Sequence, residues 1–560
     1  MNRHALLAAS LALLVSGFAI GGCDNGSSSS TATGSTTTTT TIAGAGGQGG
    51  AGGQGGGMHA IAWGACPESY VDAECAMVPM PLDHDHPEAG TIEIFVARRL
   101  SGQPDAGQLW MLEGGPGASG EVFFLGMVDL FAGVMPGVDI YVPDHRGTGR
   151  SAQLVCAGSD PASPGGNLIV AEEWPACAAQ VAAERGAELP FLNVTSAARD
   201  LGALIERTRA PGQPVFVYGL SYGTYLAERY LHIFVDQPTG VILDAVVAPG
   251  DLFVSGLDQH FDPVAQQYAA LCAADPVCSA KMGPDPWARL GSVFAALDAG
   301  HCAQAGIDRP MLRRINAETF LGFRGRLLSL ALAYRLERCS AEDLAAIEQF
   351  KSIWLEAYDL YGFSEPLEVH IDFSELWESP PPSPAELEAR ADAALYSLNW
   401  ASARGEAFAD WPKYPPDAYT STWPETAVPM LMLNGTLDPE TTLETAQAAA
   451  AHFDGPNQTF VALPNVPHVT ATQSPTTLGD GIPCATHIIA SFVADPLAPP
   501  DTSCVAAIKP VVFEDAALAA SFFATGSVWE NIPPPASAAP AGPPARSLPP
   551  ALWRRPEVLR

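Results

Sequence analysis

A serine between two glycines is the first feature whose residue types and spacing could do chemistry. Residues 219–223 read Gly-Leu-Ser-Tyr-Gly, and an apolar stretch at 214–218 precedes them. In a sharp turn from a strand into a helix, glycines at these positions let neighbouring main chains approach, and the turn lifts the serine hydroxyl above the sheet. The pattern predicts that Ser221 is a nucleophile, whereas the alternative is a surface turn that merely contains serine.

A nucleophilic serine needs a general base, and the base needs a carboxylate that orients it. After a turn of this kind, the partners follow in the order Asp, then His, at the ends of later strands. Asp438 follows the apolar stretch 429–433, and His468 follows the stretch 458–463. We therefore predict a catalytic triad of Ser221, Asp438 and His468 that performs acyl transfer and needs no cofactor or metal.

Acyl transfer also needs main-chain N–H groups that hold the developing oxyanion. One donor should be Tyr222, the residue after the nucleophile. Residues 113–117 read Glu-Gly-Gly-Pro-Gly and follow another apolar stretch, so we expect the second donor to be Gly115, with Gly114 as the alternative. Glu113 could contact the ammonium group of a substrate, or its side chain could belong to a hydrogen-bonded loop.

These residues must be positioned by a sheet and its flanking helices. Short apolar runs alternate with helical patterns, which is typical of an α/β fold with a mostly parallel sheet. The predicted strands cover 91–97, 108–112, 138–142, 214–218, 240–245, 429–433 and 458–463, and helices are predicted at 196–209 and 222–234. The strand pattern stops between the fifth and sixth of these runs.

The chain therefore divides into a core interrupted by a helical insertion. We assign residues 58–248 and 427–525 to the two parts of the core, and residues 249–426 to a largely helical cap. Residues 526–560 are rich in Pro and Ala and are predicted to form a loosely packed tail.

The first residues have the pattern of a bacterial export signal. Residues 1–22 contain a short apolar stretch after a weakly basic start, too short for a stable membrane helix, and Cys23 ends a lipobox-like run. Residues 23–57 are almost all small or polar and predict a flexible linker. Lipid attachment at Cys23 is therefore expected, the alternative being an ordinary signal peptide in which Cys23 has no role.

The other ten cysteines support export, because an even set in an exported protein suggests disulfides. They fall into couples that are adjacent in the sequence. The expected pairs are Cys66–Cys75, Cys156–Cys177, Cys272–Cys278, Cys302–Cys339 and Cys484–Cys504. No compact Cys/His cluster occurs in the sequence, so a structural zinc site is not expected.

Charge excludes one class of function. The 560 residues include 28 Lys and Arg against 61 Asp and Glu, a formal net charge of −33. Such a chain repels phosphates and anionic lipids, so we expect no nucleic-acid partner and no membrane contact except through a lipid anchor. With hydrophobic residues at 47% and charged residues at 16%, the chain can still bury a large core.

Three motifs together resemble a known family. Residues 113–120, 144–151 and 219–225 resemble the corresponding segments of the α/β-hydrolase-fold prolyl and tripeptidyl aminopeptidases. Residues 435–439 and the segment from Cys484 to Cys504 resemble the C-terminal part of bacterial tripeptidyl aminopeptidases. The resemblance covers about residues 60–504.

The resemblance implies an α/β-hydrolase fold with a helical cap over the site. It also implies a serine exopeptidase that takes small peptide substrates and cleaves near their free N-termini. Ser221, Asp438 and His468 match the family's triad by position, and Arg146 is expected to anchor a loop. Two alternatives remain: an esterase or lipase-like hydrolase with the same triad, and a non-catalytic binding protein built on the same fold.

Overall fold

The computed structural model describes residues 61–166, 168–354 and 362–534. A sheet of nine strands forms the centre of this part, in the spatial order β1-β2-β3-β5-β4-β6-β7-β8-β9. The strands are β1 Gly64–Ala65, β2 Glu74–Pro81, β3 Thr91–Arg99, β4 Gly107–Leu112, β5 Val138–Pro143, β6 Val215–Leu220, β7 Gly240–Asp244, β8 Met430–Gly435 and β9 Gln458–Leu463. The pairs among β1, β2, β3 and β5 are antiparallel, and all later pairs are parallel.

The parallel strands read as continuous apolar runs because both of their faces are covered. Every residue of β4, β6, β7 and β8 is buried. All the predicted strands are present, with their ends shifted by one or two residues where they differ. β2 was not predicted: its Pro79 and Pro81 argue against a central strand, yet β2 is paired on one side only with the two-residue β1 and tolerates them.

Helices cover both faces of the sheet. The described helices are α1 Met127–Val134, α2 Trp174–Arg185, α3 Val194–Thr208, α4 Tyr222–Ile233, α5 Phe261–Ala274, α6 Pro276–Met282, α7 Pro286–Asp298, α8 Arg309–Phe320, α9 Leu327–Arg338, α10 Ala341–Trp354, α11 Glu365–Glu375, α12 Pro384–Ala393, α13 Trp400–Arg404, α14 Leu443–Ala450, α15 Thr470–Gln473, α16 Cys484–Ala494 and α17 Ala516–Phe523. Helices α1 and α16 pack on one face, and α3, α4 and α14 pack on the other. The predicted α/β-hydrolase architecture is confirmed.

The insertion between β7 and β8 contains helices and irregular segments but no strand in its described residues, and it does not pack as one unit. Residues 257–354 form a separate apolar core of their own. Most later buried apolar residues, from Leu367 to Trp411, instead join the core that covers one face of the sheet, whereas Tyr396 and Leu398 stay in the separate core. The physical reason is that α11 has apolar residues directed at the sheet side, including Leu367, which contacts the loop at Gly147.

The C-terminal segment, α17 and residues 526–530, differs from the prediction in where it packs and in how deeply it is buried. Helix α17, which we had assigned to the sheet core, packs in the separate core of the insertion. Residues 526–530 are not part of a loose tail, because Val528 and Trp529 are fully buried there. The buried guanidinium of Arg335 donates to the main-chain carbonyls of Ser527 and Val528 and fixes this segment. The prediction relied on the Pro-rich composition and did not take Val528 and Trp529 into account. The rest of the predicted tail, from residue 535, lies outside the described residues.

All five predicted disulfides are confirmed. They join Cys66–Cys75, Cys156–Cys177, Cys272–Cys278, Cys302–Cys339 and Cys484–Cys504. Such a set indicates an extracellular protein, because disulfides persist in oxidising compartments. The signal peptide, Cys23 and the linker lie outside the described residues. In the described ranges, no helix combines the length and apolarity that crossing a membrane requires.

Replacing Trp529 with alanine tests whether the C-terminal segment is part of the folded core. We expect Trp529→Ala to lower the free energy of unfolding by about 3–5 kcal/mol, because a large buried ring leaves a cavity. The measurement is urea unfolding followed by circular dichroism. The control is Leu497→Ala, since Leu497 is 68% exposed and should leave the midpoint unchanged. Equal midpoints for both variants would contradict the packing described.

Candidate active site

Ser221 lies in a strained turn between β6 and α4. Its backbone has φ 53° and ψ −122°, a conformation that non-glycine residues rarely adopt. The flanking glycines are required for close approach: a Cβ at Gly219 would lie 2.3 Å from the carbonyl oxygen of Gly223, and a Cβ at Gly223 would lie 2.2 Å from that of Leu112. The predicted strand–turn–helix context of Ser221 is therefore present.

Asp438 and His468 are brought together at the ends of neighbouring strands. The Nδ1 atom of His468 lies 2.8 Å from Oδ2 of Asp438, and both side chains are buried. The main-chain N–H groups of Glu440 and Thr441 donate to Oδ1 of Asp438, and the Thr441 hydroxyl donates to Oδ2. These donors hold the Asp438 carboxylate in one orientation, so it can fix the imidazole.

A residue that sequence reasoning missed connects the Ser221 and His468 turns. The carbonyl oxygen of Asp244, the last residue of β7, accepts a hydrogen bond of 2.9 Å from the Ser221 N–H. Its carboxylate accepts from the N–H groups of Thr470 and Ala471, directly after the His468 turn. Asp244 therefore fixes the two turns relative to each other. Its position as an acid at the carboxyl end of a parallel strand was the only available signal.

The other ring nitrogen of His468 faces an acid rather than the serine. Nε2 lies 3.1 Å from Oε2 of Glu440, whose side chain is buried. Within the described ranges, Ser221 Oγ makes no hydrogen bond to His468. Sequence reasoning missed Glu440, which looks like an ordinary acid two residues beyond Asp438.

The carboxylates around His468 favour its protonated form. Burial of the ring lowers its pKa, but the charges of Asp438 and Glu440 together raise it by more, and the result is a pKa of about 9. A hydrogen bond from the ring to Asp438 and the charge of Asp244 act in the same direction. In this arrangement the imidazole carries its proton at neutral pH.

The glycine-rich loop lies against Ser221. A Cβ at Gly114 would lie 3.1 Å from Cβ and 3.6 Å from Oγ of Ser221. Gly115 follows with φ 111°, a conformation that glycine adopts without strain. Tyr222 is the first residue of α4, so its N–H has no acceptor within the helix. The proposed oxyanion donors therefore belong to two main-chain segments on either side of Ser221.

The second part of the insertion covers this loop. The N–H of Ser364 donates to the carbonyl oxygen of Gly117 at 2.9 Å, and a Cβ at Gly117 would lie 3.3 Å from Cβ of Glu368. Helix α11, which begins here, also borders a cavity. The cavity is lined by Leu168, Ile169, Pro310, Arg313, Arg314, Glu365, Leu398, Asn399, Trp400, Ala403 and Arg404. One helix therefore connects the glycine-rich loop with a charged cavity of the insertion.

Three known proteins or families are similar in sequence to parts of this chain. A family model described as TAP-like protein matches residues 395–504. The chain is 29% identical over 196 residues to a tripeptidyl aminopeptidase of Streptomyces lividans, covering 31% of this chain and 36% of that one. It is 28% identical over 243 residues to the serine protease Hip1 of Mycobacterium tuberculosis, covering 40% and 46%. The chain spans less than half the length of the curated relatives it matches.

Solved structures give weaker likenesses. A thermophilic esterase from Thermogutta terrifontis is 15% identical, with a TM-score of 0.29 over 71% of this chain and 93% of that one. Potato epoxide hydrolase I is 14% identical, with a TM-score of 0.32 over 76% and 98%. The strand order, the Ser221 turn and the TAP-like match decide the assignment. The chain has the α/β-hydrolase fold. The resemblance to the tripeptidyl aminopeptidases is confirmed by the TAP-like match and the named relatives.

Within this fold Glu113 is buried. It follows β4, and by strand alternation it shares the face of Leu109 and Met111. Burial raises the pKa of Glu113 to about 8, against a hydrogen bond with the Gly114 main chain that lowers it. Glu113 is then uncharged at neutral pH and a poor partner for an ammonium group. Its contact with a substrate amine stays a prediction, and burial works against it.

Arg146 is a structural anchor of the fold, as expected. Its guanidinium donates twice to the carboxylate of Asp200 and also to the main-chain carbonyls of Leu82 and Phe191. Arg146 therefore connects the loop after β5 with α3 and the loop after β2. Among the residues that the structure describes, no group of three or more His, Cys, Asp or Glu side chains is arranged to hold a metal ion.

The protonation state of His468 gives a prediction that needs no substrate. We expect its ring to titrate near pH 9, measured by NMR of histidine-labelled protein with His468→Gln as the assignment control. Because the folded pKa exceeds the ordinary value of about 6.5, protonated His468 stabilises the fold fully below that pH. This stabilisation is lost as the pH rises through about 9. Titration near pH 6.5 would contradict the arrangement of carboxylates described.

Proposed function

We propose that this hydrolase is an exported serine exopeptidase that cleaves short peptides near their free N-termini. The observation that carries the proposal is the hydrogen-bonded pair of Asp438 and His468 next to the strained turn that holds Ser221. The similarity to a tripeptidyl aminopeptidase and a serine protease supports peptide substrates. The disulfides support export, and lipid attachment at Cys23 remains part of the proposal.

The reaction begins with attack by Ser221 on the carbonyl carbon of the scissile bond. His468 accepts the serine proton at Nε2, while Asp438 holds Nδ1 and stabilises the imidazolium that forms. The proton then passes from Nε2 to the leaving amine, and the N-terminal fragment remains as an ester on Ser221. The hydrogen bonds to Asp438 keep the imidazole in the correct tautomer throughout.

The oxyanion of each tetrahedral intermediate is held by the N–H groups of Gly115 and Tyr222. Donors that are fixed before the reaction stabilise this charge without reorganising, which is their main advantage over water. Water, activated by His468, then attacks the ester and releases the fragment, so the cycle requires no cofactor. The start of helix α11 contacts the glycine-rich loop at Gly117, and we infer that the helix limits access to Ser221 and favours short peptides over folded proteins.

The test compares wild type with Ser221→Ala on chromogenic Pro-, Ala-Ala-Pro- and butyryl substrates. We expect wild type to hydrolyse the aminoacyl or peptidyl amides, and Ser221→Ala to lose about 10⁴-fold or more in kcat, because the nucleophile is gone. The control is Ser352→Ala, which changes an exposed serine on α10 and should keep full activity.

N-acetylated Ala-Ala-Pro amide tests the requirement for a free amine, and we expect little turnover of it. Hydrolysis of the butyryl ester without any amide hydrolysis would replace the peptidase by an esterase. Full activity in Ser221→Ala would overturn the mechanism. Absence of turnover on every substrate, with a folded wild type, would favour a non-catalytic binding protein.

A further inference from the structure

The contact between Glu440 and His468 conflicts with the chemistry that His468 must perform. The proposed reaction needs Nε2 of His468 unprotonated and directed at Ser221 Oγ. The structure instead has Oε2 of Glu440 3.1 Å from this nitrogen, with both side chains buried. A carboxylate at that distance accepts the Nε2 proton in a charge-assisted hydrogen bond and thereby stabilises it on the ring.

We propose that Glu440 is a positioning residue that holds His468 in a resting state, and that its carboxylate must leave Nε2 before Ser221 can react. The inference rests on the proposed function in one respect only, namely that Ser221 uses His468 as its base. The imidazolium then loses its Nε2 proton to water, and the freed nitrogen accepts the proton of Ser221 Oγ.

Asp438 keeps its position independently of the Glu440 carboxylate. Asp438 is held by main-chain N–H groups and the Thr441 hydroxyl, so its position does not depend on the Glu440 carboxylate. The Glu440 side chain can change its rotamer without moving the main chain that donates to Asp438, because its own torsions separate the carboxylate from the backbone. Release therefore changes the environment of Nε2 and leaves that of Nδ1 intact.

Other charged groups near this pair come from two elements. Asp244, at the end of β7, adds a negative charge that raises the pKa of His468. His260, just before α5, interacts with the Glu440 main chain, and burial lowers the pKa of His260, so it is neutral at pH 7. The His468 imidazolium offsets the Glu440 charge in this contact, so the contact depends on pH.

The experiment compares wild type, Glu440→Gln and Glu440→Ala, with Glu444→Gln as the matched control. Glu444 is an exposed acid in the first turn of α14 and makes no ion pair with His468 among the described residues. Two rates are measured from pH 5 to 10: inactivation by diisopropyl fluorophosphate, which phosphorylates an activated serine, and kcat/KM on the Ala-Ala-Pro amide. The first reports the Ser221–His468 pair independently of peptide specificity.

We expect the acid limb of both profiles to lie near pH 9 in wild type and in Glu444→Gln. In both Glu440 variants it should move at least one unit lower. Because the neutral fraction of a base rises tenfold for each unit its pKa falls, kcat/KM at pH 7 should rise about tenfold for a one-unit shift. KM should change little, since a positioning residue acts on the base and not on substrate binding.

Several results would overturn the proposal. One is a wild-type acid limb near pH 6.5, a measurement that depends on no variant. A second is an unmoved limb in the folded Glu440 variants. A third is a rise in KM for the free-amine substrate with an unchanged fluorophosphate profile, which would make Glu440 a substrate contact.

Failure of the proposed function is distinguishable from these results. If Ser221 reacts with fluorophosphate and the limb moves, but no peptide amide is cleaved, only the peptidase assignment fails. If peptides are cleaved with an unmoved limb, only the role of Glu440 fails. If fluorophosphate leaves Ser221 unmodified at every pH, Ser221 is not activated by His468, and both proposals are wrong.

Discussion

The geometry of the site depends on a single buried carboxylate, Asp244. Its main-chain carbonyl receives the N–H of Ser221, and its side chain accepts hydrogen bonds from Thr470, Ala471 and the hydroxyl of Tyr218. A buried carboxylate is costly unless its oxygens are hydrogen-bonded. Loss of the His468 turn would remove the Thr470 and Ala471 donors from this carboxylate. The hydrogen bonds that stabilise buried Asp244 therefore also hold the Ser221 turn and the His468 turn together.

The features that the sequence predicted are those with local causes. Parallel strands buried on both faces appear as continuous apolar runs. The Ser221 turn is marked by two glycines, because a Cβ added at either position would collide with the main chain. Asp438 and His468 could be chosen because each directly follows such a strand. The disulfide pairing could be predicted for a similar reason, because every bridge joins two cysteines that follow each other in the sequence with no other cysteine between them.

The features that could not be predicted depend on contacts between distant segments. Asp244 meets Thr470 across more than two hundred residues, and Trp529 is buried by helices of the insertion. Glu440 is close to Asp438 in sequence, yet only the path of the turn brings its carboxylate to the far side of the imidazole. The Pro- and Ala-rich composition led to the wrong prediction of a loose tail at residues 526–530. Average composition over the tail does not show that a single large apolar residue, Trp529, can be buried.

Charge at the site has a different role from charge at the surface. The formal net charge of −33 belongs to the chain as a whole, and a net charge far from zero favours solubility. At His468, by contrast, Asp438, Glu440 and Asp244 act on one imidazole in a buried setting, where like charges interact strongly. Removing the ring proton would take away a positive charge with which all three carboxylates interact. Loss of the Nε2 proton and departure of the Glu440 carboxylate must therefore be coupled, because each makes the other less costly.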